Sequence, residues 1–119
     1  MKVYGIPNCN TIKKAKDWLK ENNVEYEFHD FKKEGITKEK LKEWSKTSGW
    51  EKLLNKKGTT WRALPADEQQ KITNERSAIK LMLEKPSIIK RPVIENDGKL
   101  WIGYDEIQYA ENFKKKQGG

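Results

Sequence analysis

Cys9 is the single cysteine among the 119 residues, and its position is one where a thiol can be activated. It follows a short apolar run that ends at Pro7-Asn8, and a helical pattern begins directly after it. The start of a helix presents unpaired N–H groups and about half a positive charge, which favour thiolate over thiol. The sequence therefore predicts that Cys9 is a nucleophile and that the backbone at Asn10 and Thr11 holds negative charge. A small buried cysteine without chemistry is the alternative.

A single thiol limits the redox chemistry that the chain can do. It can close no internal disulfide and build no cysteine zinc site. Ile12 stands three residues after Cys9, where a Cys-x-x-Cys motif has its second cysteine. Any redox cycle must therefore take its resolving thiol from another molecule. The single histidine, His29, is predicted to be structural, so we expect no metal site and no bound cofactor.

Basic side chains near Cys9 are candidates for anion recognition. Lys13 and Lys14 fall in the first turns of the predicted helix and are expected to add positive charge there. Arginine is scarce, since 22 of the 25 basic residues are lysine. Arg91 leads into a predicted hairpin beside the first strand, and a planar guanidinium suits an oxyanion or a carboxylate. A surface ion pair is the alternative for Arg91. Base rates for X-Pro bonds predict a trans bond to Pro92.

Composition indicates a folded domain with a densely charged surface. Twelve aromatic residues argue against disorder. The net charge is +7, from 25 basic and 18 acidic residues, but lysine alternates with glutamate, as in residues 38–43. Such alternation predicts a solvated, ion-paired helix face rather than a nucleic-acid surface. With no signal peptide and no run of ~18 apolar residues, we expect a cytoplasmic monomer with no membrane or direct nucleic-acid partner.

The order of predicted elements positions Cys9 at the end of a strand. A strand over residues 2–6, a helix from Thr11 to about Asn22 and a strand over 24–30 form a compact crossover, which implies parallel pairing. Ligand sites in α/β folds lie at the carboxyl ends of such strands. This placement favours a functional role for Cys9.

The remainder of the chain completes the predicted fold. Helical patterns dominate residues 37–84, and two apolar runs around Asp97-Gly98 predict a hairpin. Asp105 is predicted to cap a final helix, with Ile107 and Tyr109 or Ala110 facing inward. These elements predict an α/β chain with a thioredoxin-like fold, in which a four-stranded mixed sheet carries a helical insertion between its two halves.

Three stretches of the chain resemble the arsenate reductase (ArsC) family, and they are Tyr4–Ala15, Gly58–Arg62 and Ile88–Val93. The likeness runs from Lys2 to about Phe113 and is greatest for the YffB-like branch, alongside the Spx regulators. It implies one ArsC-like thioredoxin-fold domain over residues 1–119, with the helical insertion at 37–84. Residues 114–119 are predicted to be a disordered tail.

The resemblance also implies roles for individual residues. In the family's arsenate reductases a cysteine attacks arsenate held by arginines, and glutathione and glutaredoxin then release arsenite. Cys9 matches the nucleophile and Arg91 matches one of the arginines. The resemblance further implies that Arg91 precedes a cis proline, Pro92, which faces the cysteine. Arg62 is the candidate for a second guanidinium.

Three positions depart from those reductases. Gly5 replaces a histidine, while Asn55 and Gly103-Tyr104 replace arginines. Each lost charged hydrogen bond weakens oxyanion binding by about 1.5–3 kcal/mol. The YffB-like branch implies a glutathione-dependent monothiol reductase that acts on a disulfide or an oxyanion, with glutathione or a glutaredoxin-type thiol as partner.

Two other functions stay open on the sequence. One is arsenate reduction by the same cysteine, linked to glutathione and glutaredoxin. The other is a non-enzymatic, Spx-like transcriptional regulator that binds RNA polymerase. Ile12 removes the Cys-x-x-Cys redox switch that those regulators often carry.

Overall fold

The computed structural model of the chain describes residues 1–113. Its strands are β1 (Lys2–Gly5), β2 (Glu27–Asp30), β3 (Val93–Asn96) and β4 (Lys99–Ile102). Its helices are α1 (Asn10–Glu21), α2 (Phe31–Glu34), α3 (Lys38–Ser48), α4 (Trp50–Leu53), α5 (Thr59–Arg62), α6 (Ala66–Gln70), α7 (Glu75–Glu84) and α8 (Glu106–Phe113), with a 3₁₀ turn at Pro86–Ile88. The predicted tail, 114–119, lies outside the described residues.

The chain divides into two compact units. The sheet unit contains Met1–Asp30 and the segment that begins at Arg91, and the helical unit is Phe31–Lys90. The helical unit includes all of the predicted insertion, 37–84. None of the helices in residues 1–113 is long and apolar enough to cross a membrane.

The sheet unit contains a four-stranded mixed sheet in the order β2-β1-β3-β4. β1 pairs in parallel with β2 and antiparallel with β3, which pairs antiparallel with β4. The predicted α/β, thioredoxin-like fold is therefore confirmed. The parallel pair follows from the compact β1-α1-β2 crossover. The β3–β4 hairpin turns at Asp97-Gly98, where both residues have positive φ angles, 52° and 73°, as a type I′ turn requires.

One face of the sheet packs on α1 and α8. Val3 pairs with Phe28 on one side and with Ile94 on the other, so the three side chains form a row across the sheet. Ala15, Trp18 and Leu19 recur at helical spacing on α1 and pack against this row. The row and the helix together fix where α1 begins, which is the position that matters for Cys9.

The buried face of α8 includes Tyr109 as predicted but not Ile107. Tyr109 and Phe113 are buried on α8, whereas Ile107 is 72% exposed. The prediction of an inward Ile107 is wrong, because two residues at 100° each place Ile107 nearly opposite Tyr109 on the helix. The predicted cap is confirmed, since the Asp105 carboxylate accepts a hydrogen bond from the Gln108 N–H at 3.1 Å.

Tyr109 connects α8 to the end of β4. Its side chain is fully buried, and its hydroxyl donates to the Gly103 carbonyl oxygen at 2.8 Å. Burial, and then the charges of Tyr104 and Asp105, raise the pKa of Tyr109 well above its ordinary value, so the hydroxyl stays protonated and donates. The ring packs edge-on against Trp18, with centroids 5.6 Å apart.

Replacing Tyr109 with phenylalanine is expected to lower the free energy of unfolding by about 1 kcal/mol, the typical contribution of one hydrogen bond. The ring contact with Trp18 stays in place, so only the bond to Gly103 is lost. Urea denaturation of the wild type and the variant measures the difference. A stability change below about 0.3 kcal/mol would show that the hydroxyl adds nothing beyond its hydration in the unfolded chain.

Helix caps specified by the sequence organise the helical unit. The Thr37 side chain caps α3 by accepting from the Lys40 N–H. Asn74 caps α7 through a capping box with Ser77. Threonine and asparagine are both residue types that are preferred at N-caps. Buried Trp44, on α3, packs near Phe31 with ring centroids 6.3 Å apart.

Candidate active site

Cys9 is the last residue of the short loop that connects β1 to α1. Pro7 and Asn8 are exposed and carry the chain from the strand to the helix. Cys9 is the N-cap of α1, with φ −139° and ψ 128°, and its carbonyl accepts the first helical hydrogen bond from the Lys13 N–H at 3.0 Å. Its side chain is partly exposed. The thiol therefore stands at the positive end of a twelve-residue helix and within reach of solvent.

The surroundings of the sulfur favour the thiolate. Burial raises the pKa of Cys9, but the Ile12 N–H, the Arg91 side chain and the Thr11 N–H outweigh it and hold the pKa below its ordinary value. The positive charge of Arg91 acts in the same direction. The sulfur lies outside ordinary capping geometry, and the two amides and the Arg91 side chain act on it as nearby donors.

The donor amides are one residue further along than predicted. The sequence predicts that the backbone of Asn10 and Thr11 holds negative charge, whereas the amides that lower the pKa of Cys9 belong to Ile12 and Thr11. An N-cap side chain faces the N–H groups of the second and third helical residues, which here are Thr11 and Ile12. That rule would have found Ile12. Asn10 lines the pocket beside Cys9, and its role in binding stays a prediction.

Arg91 and Cys9 are brought together by the pairing of β1 with β3. The Arg91 side chain hydrogen-bonds the Cys9 sulfur, and its role in binding an anionic substrate stays a prediction. The Arg91–Pro92 bond is cis, as the resemblance implies, and the trans bond predicted from base rates is wrong. The Pro92 carbonyl accepts from the Gly103 N–H at 2.8 Å, which ties the start of β3 to the end of β4.

An open pocket of about 460 Å³ adjoins the sulfur. Its lining consists of Pro7, Asn8, Cys9, Asn10, Lys13, Lys16 and Asp17. Lys13 forms an exposed ion pair with Asp17 at 3.0 Å, and the Lys16 ammonium lies 3.7 Å from the centre of the Phe28 ring. Asp17 offsets part of the Lys13 charge, and the contribution of Lys13 to the field at Cys9 stays a prediction. Asp17 follows Lys13 at i+4, a spacing from which the pair was predictable.

A histidine at position 5, as in the family's arsenate reductases, would displace the Ile12 side chain. A Cβ atom at Gly5 would collide with Cδ1 of Ile12 and would lie 3.0 Å from its Cγ1. Ile12 is fully buried between β1 and α1. The apolar contact of Ile12 with the strand therefore occupies the space that a side chain at position 5 needs.

The other two departures also have structural roles. The Asn55 side chain accepts from the Lys57 N–H at 3.2 Å and so forms a turn in the helical unit. Gly103 has a φ angle of 88°, a conformation that an arginine adopts only with strain. Tyr104 packs edge-on against Tyr109, with centroids 5.3 Å apart.

Two further candidates are Arg62 and His29. Arg62 is exposed at the end of α5 in the helical unit, and its role stays a prediction. His29 pairs with Tyr4 across β1 and β2, with ring centroids 4.9 Å apart. Within residues 1–113, no group of three His, Cys, Asp or Glu side chains is arranged to hold a metal ion.

Arg91→Ala is expected to slow thiolate-dependent alkylation of Cys9 near pH 7 by about threefold to tenfold. The variant removes a charged hydrogen bond worth about 1.5–3 kcal/mol when buried, and solvent screening reduces that value at this partly exposed site. The pKa of Cys9 rises, so the alkylation curve moves to higher pH. The control is Lys99→Ala, an exposed residue of β4, which removes one positive charge and is expected to leave the curve unchanged. Equal curves for Arg91→Ala and wild type would contradict the assignment.

The chain is similar to a known protein family and to several known proteins. The ArsC family model matches residues 4–112. A solved structure named as YffB protein is 44% identical, with a TM-score of 0.89, over 94% of this chain and 97% of its own. The solution structure of an arsenate reductase (ArsC) related protein from Brucella melitensis is 49% identical, with a TM-score of 0.77, over 96% of this chain and 94% of its own. The regulatory protein MgsR of Bacillus subtilis is 30% identical over 95% of this chain and 90% of its own.

Proposed function

The chain belongs to the ArsC family, and from that premise we propose that it is a glutathione-dependent monothiol reductase whose nucleophile is Cys9. The observation that supports the proposal is the set of donors around the sulfur. Two backbone N–H groups and the Arg91 guanidinium lower the pKa of the thiol, and the thiolate is the reactive form. A buried cysteine without chemistry would not need these donors.

The proposed reaction has two thiol–disulfide exchange steps. The Cys9 thiolate attacks the glutathione sulfur of a mixed disulfide, a Cys9–glutathione disulfide forms, and the substrate leaves as a thiolate that takes a proton from water. A second glutathione thiolate then attacks the glutathione sulfur of that disulfide and releases Cys9. Per turnover, one mixed disulfide is reduced to a thiol and two glutathione moieties leave as glutathione disulfide. Glutathione supplies the resolving thiol because the chain has no second cysteine.

Arg91 and the helix start assist both steps in this proposal. Cys9 is the attacking group in the first step and the leaving group in the second, and a lowered thiol pKa speeds departure. Arg91 also pairs with a carboxylate of glutathione as it approaches. Asn10 and Thr11 contact the bound anion at the start of α1. The proposal places a monomer in the cytoplasm, where glutathione keeps thiols reduced.

Turnover of a glutathione mixed disulfide tests the proposal. The mixed disulfide of 2-mercaptoethanol is supplied with glutathione, glutathione reductase and NADPH, and NADPH oxidation reports the rate. We expect an enzyme-dependent rate and, without excess glutathione, one glutathione per chain bound to Cys9 by mass spectrometry. A rate equal to the uncatalysed exchange, with no Cys9 adduct, would contradict the proposal.

Arsenate reduction is the second candidate. It is favoured because the Arg91 guanidinium and the N–H groups of Thr11 and Ile12 all lie near the Cys9 sulfur. These donors surround the sulfur as an oxyanion site would. The same assay with arsenate in place of the mixed disulfide, with and without glutaredoxin, separates the two. An arsenate rate that exceeds the mixed-disulfide rate would give arsenate reduction first place. With one guanidinium at the sulfur, we expect the opposite order.

A regulatory function is the third candidate, favoured by the 30% identity to the regulatory protein MgsR over nearly the whole chain. A regulator of this type would bind RNA polymerase without needing the thiol. Capture of purified RNA polymerase by immobilised protein, for both wild type and Cys9→Ser, tests it. Equal capture by both, combined with no turnover by the wild type, would replace the reductase proposal with the regulatory one.

A further inference from the structure

The positive charge of the chain is concentrated in one of its two units. The helical unit, Phe31–Lys90, contains 15 Lys and Arg against 8 Asp and Glu, a net charge of +7. The sheet unit carries 10 of each, which include the three lysines of residues 114–116, and is neutral. The net charge of the whole chain therefore belongs to the unit that does not contain Cys9.

Part of this charge lines a groove between α3 and α7, which we call the α3–α7 groove. Its volume is about 650 Å³, and its lining consists of Lys38, Lys42, Glu75, Arg76, Ile79, Lys80 and Leu83. Lys38 and Lys42 are one turn apart on α3, and Arg76 and Lys80 are one turn apart on α7. Two rows of cations therefore flank the groove, one on each helix.

In the described part of the chain, the cations of the α3–α7 groove have no carboxylate partners. Within residues 1–113, none of Lys38, Lys42, Arg76 and Lys80 forms an ion pair. Elsewhere on α3, Lys40 does pair with Glu43, at 3.4 Å. The ion-paired face predicted for residues 38–43 is thus present at Lys40 but not at the positions that line the groove.

The middle of the groove is apolar. Ile79 is 2% exposed and forms part of the lining, while Leu83, one turn further along α7, is 38% exposed. Leu83 and Ile107 are the exposed large hydrophobic residues of the described chain, and Leu83 is the one within a groove. Covering the exposed part of Leu83 with apolar side chains of a partner removes it from water and favours binding.

From this arrangement we propose that the α3–α7 groove binds an acidic amphipathic segment of a partner protein. Apolar side chains of the segment cover Leu83 and Ile79, and its carboxylates face the lysine row of α3 and the Arg76–Lys80 row of α7. Charge complementarity of this kind steers association and selects the partner. A nucleic acid fits less well, because the lining includes the Glu75 carboxylate and an apolar centre rather than phosphate-spaced cations alone. This site is separate from the chemistry proposed for Cys9.

Titration of the whole ¹⁵N-labelled chain with a synthetic peptide tests the proposal. The probe is a 15-residue peptide with leucines at helical spacing and Glu or Asp elsewhere, and its comparison is a permuted peptide of equal composition whose leucines share no face. We expect amide shifts on α3 and α7, with at least about tenfold weaker binding of the permuted peptide. Binding should weaken as salt rises, because the flanking charges are exposed. Equal affinity for both peptides, or shifts spread over all the lysines, would overturn the proposal.

Two pairs of variants separate the groove from general positive charge. Lys42→Glu with Lys80→Glu is expected to weaken peptide binding at least tenfold, whereas Lys52→Glu with Lys57→Glu, exposed outside the groove, changes the net charge equally and should weaken it less than threefold. Leu83→Ser should weaken binding about fivefold, and Ile107→Ser should not. The proposal would be overturned if the two charge-reversal variants lost equal affinity, or if Leu83→Ser and Ile107→Ser did. Tighter groove-directed binding of a 15-base-pair DNA duplex than of the peptide would also overturn it.

Discussion

Cys9→Ser is expected to abolish reduction of the glutathione mixed disulfide, with a loss of at least ~10³-fold in turnover. A serine hydroxyl is far less acidic than a thiol, so the donors around position 9 have no anion to stabilise at neutral pH. It also forms no disulfide with glutathione, so both exchange steps are lost. NADPH-coupled turnover measures the rate, and mass spectrometry measures the missing glutathione adduct.

The fold should survive this substitution. Position 9 is the N-cap of α1 with extended backbone angles, and serine is among the preferred N-cap residues. We therefore expect a free energy of unfolding equal to or slightly above that of the wild type. Lost activity with retained stability assigns the effect to the sulfur. Residual turnover within about tenfold of wild type would contradict a reaction through Cys9, because no second cysteine can replace it.

Gly5→Ala is expected to destabilise the chain by about 2 kcal/mol, the cost typical of overpacking a buried contact. The added Cβ would collide with Cδ1 of Ile12, which is fully buried and has little space to move. The displaced helix start should also slow alkylation of Cys9, since the N–H of Ile12 is one of its donors. Urea denaturation and the alkylation rate measure the two effects.

Ile12→Val gives the matched control for Gly5→Ala, because it deletes the Cδ1 atom and keeps the backbone N–H. Alone it should cost about 0.5–1.5 kcal/mol. In the double variant the new Cβ at position 5 occupies part of the space that Cδ1 leaves. We expect the double variant to be more stable than the sum of the single effects by about 1 kcal/mol. Strictly additive effects would show that the collision does not set the cost at Gly5.

The local parts of the fold could be predicted because their signals lie within short segments. Asp97-Gly98 specifies the β3–β4 turn through the positive φ angles that these residue types tolerate. Asn74 and Thr37 specify helix starts through side chains that reach the next turn. Tyr109 and Ile107 show the limit, since a two-residue difference on a helix decides burial and either residue is apolar enough to face inward.

The candidate site could be predicted only in part, because it is assembled across the sheet. The helix start at Cys9 is a local signal, but the approach of Arg91 depends on β1 pairing with β3, about 90 residues apart in sequence. The cis bond at Pro92 runs against base rates and was implied by family resemblance alone. The α3–α7 groove could not be predicted from the charge pattern, because the alternation of residues 38–43 does not show which lysines face α7.

The pH dependence of Cys9 alkylation is the sharpest test of an activated thiolate, since with one thiol the curve needs no site assignment. We expect half-maximal alkylation at a pH clearly below that of a free cysteine, because the Ile12 and Thr11 amides and Arg91 outweigh burial and lower the pKa. Reactivity is then retained as pH falls towards neutral, where an ordinary thiol is largely protonated. A midpoint at or above that of a free cysteine would contradict an activated thiolate, and with it the reductase proposal.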